Sequence, residues 1–326
     1  MCNAKQQLER ALRAALAQYA ETMGEAFPIA PILDVIDDPE FWAVAEMHND
    51  TFHIQVSTGT ADSASALWAS AFSDEDFQSG FERAVGFDAT SMIHLGLVWL
   101  MLHELHHYQM GHFEDHDPTQ SSKIDALDGH GLIRRAPKNP RTHPLGDAET
   151  SLIFEMQADH DATEMLLDAY SPDEWAVLRA RISAISAMMM LIERADVSNH
   201  TPQTTHPKAS TRIFQLLGHV MDMPTLAAHP EISLTSRGVR HRKNIQAKKE
   251  LEGFSAHVVV PAFFDAVSLA SNATAHSITN DLGSATDFFQ DIQTAKLVQD
   301  AGASEFVTAG ARQWAKLARL NGQTSS

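Results

Sequence analysis

Apolar residues recur at helical spacing along most of this chain, and one stretch alternates at the period of a strand. The first helix is predicted at about 4–23, where "AKQQLERALRAALAQYAETM" places Leu, Ala and Tyr on one face. A Pro-containing connector, "FPIAPILDVIDDPEF", follows it. "TFHIQVSTG" then reads as a strand, with Phe52, Ile54 and Val56 alternating and Gly59 closing it. "DSASALWASAF" reads as a short helix.

A long helix is expected from about Thr90 to Met110, with Asp88 or Thr90 as N-cap and Gly111 just past its end. Its first half is apolar nearly all round (Met92, Ile93, Leu95, Leu97, Val98, Trp99, Leu100, Met101), which describes a buried helix. From Glu114 to Glu149 the chain is polar and without period, a length of loop that usually serves function. Further helices are predicted at about 150–169, 172–195 and 209–222, and helices account for the last hundred residues. The boundaries follow as an N-terminal helix and connector (1–40), a core (41–222, with the 114–149 insertion) and a helical C-terminal region (223–326).

Charge narrows the function. A net charge of −18 argues against general nucleic-acid binding, and the one basic cluster, Arg237 to Lys249, reads as a solvated helix face. Cys2 is the only cysteine, so there is no disulfide framework and no thiolate metal site. The N-terminal helix lacks the apolar centre and cleavage site of a secretory signal, and the longest apolar run, Leu95 to Leu102, is too short for a membrane span. The expectation is a cytoplasmic protein with no membrane span.

Candidate chemistry lies at the end of the long helix, where "HELHH" puts His103 and His107 four apart. Such residues are about 40° apart around a helix and can aim ring nitrogens at one ion. Glu104 then lies about 80° from the middle of the pair, in reach of a water on that ion. Pairing His103 with His106 instead would leave Glu104 about 130° away and lose the carboxylate. His106 therefore reads as a supporting or surface residue, and His112, beyond Gly111, as part of the helix exit.

A catalytic zinc site needs a third protein ligand. Phe113 and Met110 stand where a metzincin would carry its third histidine and its glycine, so that class is excluded. "IFEMQADHDATEML" offers Glu155 and Asp159 on one helix face, Glu155 to ligate and Asp159 to accept the outer N–H of a ligand histidine. His160 and Asp161 are alternative ligands.

The succession HExxH, "EMQAD" and "THPKASTRI" (Thr205 to Ile213) resembles the gluzincin metallopeptidases of the HtpX-like and CAAX-prenyl-protease type, over about residues 50–215. The resemblance implies a mainly α, zincin-like helical catalytic core with a small β edge and additional N- and C-terminal helices. It implies one zinc ion on His103, His107 and Glu155, Glu104 as general base and acid, and Asp159 in support. It also places His206 and Arg212 near the active site, His206 as a donor to the oxyanion or as an occupant of the open zinc position. The implied activity is endopeptidase cleavage of a protein or peptide. The strand that carries Phe52, Ile54 and Val56 is itself a candidate edge to which an extended substrate adds. Soluble intracellular peptidases of the phage-exclusion type are similar in outline. The rival reading from another class is a latent or non-catalytic zinc-binding regulatory protein, for which Glu104 would have no use.

Overall fold

A computed structural model describes residues 3–111, 147–198, 206–227, 248–273, 275–298 and 301–324. Most of the 114–149 insertion, His112, Thr205 and most of the basic cluster lie outside these residues. The described chain is mainly helical with one small sheet, as the periodicity predicts.

The first helix, α1 (Ala4–Met23), starts where Asn3 accepts the Gln6 N–H and stops at Gly24, whose φ of 74° ends the helix without a Cβ penalty. Three strands follow: β1 (Ile32–Ile36), β2 (Ala43–His48) and β3 (Thr51–Ser57). Phe52, Ile54 and Val56 are fully buried, so the alternation is as read. Their placement is not. The sheet order is β1-β3-β2, with β3 parallel to β1 and antiparallel to β2. β3 is thus the central strand, and Phe52, Ile54 and Val56 cannot form a substrate edge, because both ladder sides are already paired. β1 and β2, at five and six residues, are too short for periodicity to single out, and Pro31 and Pro39 lie beside them rather than within them. A signal for β2 was present: Asn49 and Asp50 form the two-residue turn to β3 with φ of 49° and 61°, a hairpin conformation these residue types tolerate.

Ser57 closes β3 and caps α2 (Thr58–Ser73), its Oγ accepting the Thr60 N–H at 3.1 Å. The next helix, α3 (Glu75–Val85), leads to α4 (Ala89–Gln109), which Asp88 caps by accepting the Ser91 N–H at 2.8 Å. α4 is the axis of the fold, packed against α1, α2, β2 and two later helices, α5 (Asp147–Leu167) and α6 (Trp175–Ser198). A helix apolar on every side is stable only when neighbours cover every side. At Gly96 an added Cβ would come 2.9 Å from Met188 Cγ on α6, so the missing side chain sets that close crossing.

α7 (Ala209–Ala227) follows, then a helical lead-in at 248–254 that passes through a π-turn (Ser255–Val259) into α8 (Val260–Asn272). Pro261, which has no N–H to donate, sits just beyond that turn. α9 (His276–Leu282), α10 (Ala285–Leu297) and α11 (Ala309–Thr324) complete the chain. The buried residues form one contiguous cluster from Leu8 on α1 to Ala315 on α11. Two helical stretches, Pro172–Val197 and Lys248–Asn272, have the length and hydropathy of a membrane span, which the apolar run alone did not suggest. The first is 72% buried among its neighbours, as a core helix must be.

Candidate metal centre

The last two turns of α4 carry the histidines to the point where α5 crosses. His103 Nε2 and His107 Nε2 lie 3.2 Å apart. Glu155 on α5 closes the triangle, with Oε2 3.2 Å from His103 Nε2 and Oε1 3.5 Å from His107 Nε2. Zinc bonds of 2.0–2.1 Å in a tetrahedron place ligand atoms roughly 3.3 Å apart, so the three separations suit one small ion. Glu155 Oε2 is buried and accepts no hydrogen bond of good geometry, a state that costs energy unless a cation meets it. His103, His107 and Glu155 could therefore hold a metal ion, and their donor atoms fit one.

Behind the cluster, Asp159 Oδ1 stands 3.0 Å from His103 Nδ1. A carboxylate at that distance favours a proton on the outer ring nitrogen, which leaves Nε2 to face the cluster. Arg212 on α7 grips Asp159 from the other side, Nε to Oδ2 and Nη2 to Oδ1, both at 2.5 Å. Trp99, one turn before His103, completes the support. Its ring packs 5.6 Å from the His103 ring and 5.6 Å from the Arg212 guanidinium, and its Nε1–H donates to Thr163 Oγ1 on α5.

Burial and charge set the ionisation here. Burial alone would raise the Asp159 carboxyl, but Arg212 and His103 outweigh it and lower the pKa. Burial opposes ionisation of Glu155 too, and His206 with His103 and His107 holds it well below the usual carboxylate range. Glu104 differs. Burial pushes its carboxyl up to about 6, with His103 pulling down and Glu155 pushing up, and it takes a backbone hydrogen bond from Ala45 of β2. A carboxylate poised near neutral pH beside the cluster suits proton transfer.

His206 Nε2 comes within 3.4 Å of Glu155 Oε2, beside the three-residue cluster rather than within it. Its Nδ1 faces Asp196 of α6 at 3.1 Å. One turn earlier on α6, Glu193 Oε2 accepts the Ala209 N–H at the start of α7. The end of α6 thus fixes both the His206 ring and the helix behind it.

The residues singled out in sequence come together: His103, Glu104, His107, Glu155, Asp159, His206 and Arg212 are neighbours. His106 is not at the surface. It is 4% exposed, its Nδ1 lies 2.7 Å from the Leu102 carbonyl, and burial drives its pKa down to about 4. His160 is no ligand of this cluster, since it pairs with Glu164 on another face of α5. Asp161 likewise stands outside the cluster, and burial pushes its carboxyl up to about 7. Trp99, Thr163, Glu193 and Asp196 escaped the sequence reading. Trp99 looks like any core tryptophan, and Asp196 meets His206 only through the crossing of α6.

Comparison with known proteins gives one family. No curated protein and no solved structure matches the chain. The model of one peptidase family, described as Peptidase U49, matches residues 65–229, which include α4, α5, α6, α7 and every residue of the centre. That match spans just over half of the 326 residues. With the donor cluster inside the matched segment, the chain belongs to the Peptidase U49 family.

Proposed function

We propose that this peptidase is a zinc-dependent endopeptidase of the gluzincin type, with His103, His107 and Glu155 as ligands and Glu104 as general base and acid. The observation that carries the reading is the triangle of donor atoms at 3.2, 3.2 and 3.5 Å with a buried, raised carboxyl beside it. A zinc ion held by these three residues would acidify a water and polarise the substrate carbonyl.

The chain's own groups supply the rest. Glu104 accepts the proton of the attacking water and passes it to the leaving amine as the C–N bond breaks. His206 donates from Nε2 toward the developing oxyanion, and Asp196 at its Nδ1 keeps the ring oriented. Asp159, clamped by Arg212, keeps the His103 ring facing the cluster.

The substrate edge is better sought on β2 than on β3. Among the described residues β2 pairs on one side only, and its Ala45 N–H reaches Glu104. An extended peptide adding to that edge would gain backbone hydrogen bonds while its scissile bond lay over the base.

The test is digestion of an unfolded protein mixture by the purified full chain, with and without chelator and with Glu104→Gln. Cleavage should require the metal and fall about 10²–10⁴-fold in Glu104→Gln while metal content holds. Chelator-resistant cleavage, or full turnover by Glu104→Gln, would overturn the reading.

A further inference from the structure

A second group of donor atoms lies outside the proposed catalytic centre. His160 and Glu164 are four apart on α5 and share one face of it, with His160 Nε2 3.2 Å from Glu164 Oε1. His160 is five residues past Glu155, about 140° around the helix, so this face is not the one that meets α4. The third member comes from a different helix. His219 of α7 packs edge-on against His160, ring centroids 5.2 Å apart at 88°, and its Nδ1 is 3.9 Å from the same Glu164 oxygen. One ligand atom from each of the three residues lies within 4.8 Å of the other two.

A His–Glu pair at i,i+4 is by itself an ordinary helix-surface contact worth a few tenths of a kcal/mol. Two further observations set this one apart. The second imidazole is brought by the tertiary fold to the same carboxylate oxygen, although two imidazoles side by side gain little from each other. All three side chains are partly buried, so an ion between them would be partly shielded from water. Two imidazole nitrogens and one carboxylate oxygen form a donor set suited to zinc-like divalent ions.

We propose that His160, Glu164 and His219 form a second metal site, which takes one divalent first-row transition ion and pins α5 to α7. Those helices carry Glu155 and Asp159 on one side and Arg212 on the other. An ion joining them one to two turns from the Asp159–Arg212 clamp would hold the support of the catalytic cluster in register. The site is a positioning device, and its occupancy does not depend on whether the main centre cleaves peptides.

The experiment is metal stoichiometry on the full-length protein, stripped with chelator and dialysed against Co²⁺, with visible absorption and elemental analysis as readouts. The wild type should bind two ions per chain. His219→Ala and Glu164→Gln should each bind one while keeping the wild-type helical signal by circular dichroism. Glu155→Ala should lose the other ion and keep this one. One ion in the wild type that survives in His219→Ala and Glu164→Gln would overturn the proposal, as would two ions retained in both variants. Two ions retained in Glu155→Ala would instead count against the catalytic centre and leave this site standing.

Discussion

Arg212 holds Asp159 through two parallel hydrogen bonds of 2.5 Å, and the two residues are 1% and 2% exposed. The pair ties α7 to α5 directly behind His103. A buried carboxylate that loses such a partner costs about 3–5 kcal/mol. Arg212→Lys should therefore lower stability by several kcal/mol, since an ammonium cannot reproduce the planar fork. Urea denaturation of the two proteins checks this, and a loss below about 1 kcal/mol would mean the clamp is not what holds the helices. The double change Arg212→Met with Asp159→Asn should recover part of the loss, because no charge is then left buried alone.

His206 and Asp196 should differ in how they affect turnover. If His206 meets charge that develops only in the transition state, His206→Ala lowers kcat by about 10²–10³-fold and leaves KM nearly unchanged. Asp196→Asn keeps the ring in place and should cost far less. Steady-state kinetics on a cleaved peptide separates the two, and an effect confined to KM would assign His206 to ground-state binding instead.

His106 makes a prediction about pH. Burial holds its folded pKa near 4, well under the ordinary value of 6.5, so the unfolded chain binds the extra proton first. Its contribution is fully present above pH 6.5 and is lost as pH falls from there through 4. Its size is roughly 3 kcal/mol for a shift of that extent. His106→Leu, similar in bulk and buried in the same apolar surroundings, should flatten the stability profile over this window. Unfolding free energies of the metal-free proteins at pH 7.5 and 4.5 provide the measurement, and parallel profiles would refute it.

Gly310 on α11 lies against the backbone of Ser210 on α7, and an added Cβ would come 2.8 Å from the Ser210 carbonyl. Thr211 Oγ1 meanwhile donates to the Gly310 carbonyl at 3.1 Å, holding the first turn of α7 against α11. Gly310→Val must force the helices apart at a cost of about 1–3 kcal/mol. The displacement would fall on the turn that carries Arg212, so peptidase activity should drop together with the melting temperature. Lost stability with undiminished activity at a temperature where the variant is folded would show that α11 does not position the site.

The local part of this protein was legible in its sequence. His103 and His107 share a face because helical rotation requires it, and the same rotation puts Glu104 beside them. The all-round apolar run before them announced a buried helix, and the bounds of α4 followed from Asp88 and Gly111, whose backbone chemistry is local. The spacing in "IFEMQADHDATEML" offered Glu155 and Asp159, and the resemblance added His206 and Arg212. What failed was long-range. Strand pairing is decided between segments, so the alternation of Phe52, Ile54 and Val56 could mark a buried face but not say whether β3 lay at the edge or the centre.

Only the tertiary structure decided how four helices, α4, α5, α6 and α7, meet. The crossing of α4 and α5 sets donor separations that no spacing within one helix contains. The crossing of α6 and α7 brings Asp196 to His206, and that of α5 and α7 brings His219 to Glu164. Sequence periodicity determines which face a side chain takes on its own element, because that depends on backbone geometry alone. Which faces oppose each other depends on how the whole core packs, and that is a property of every buried side chain at once.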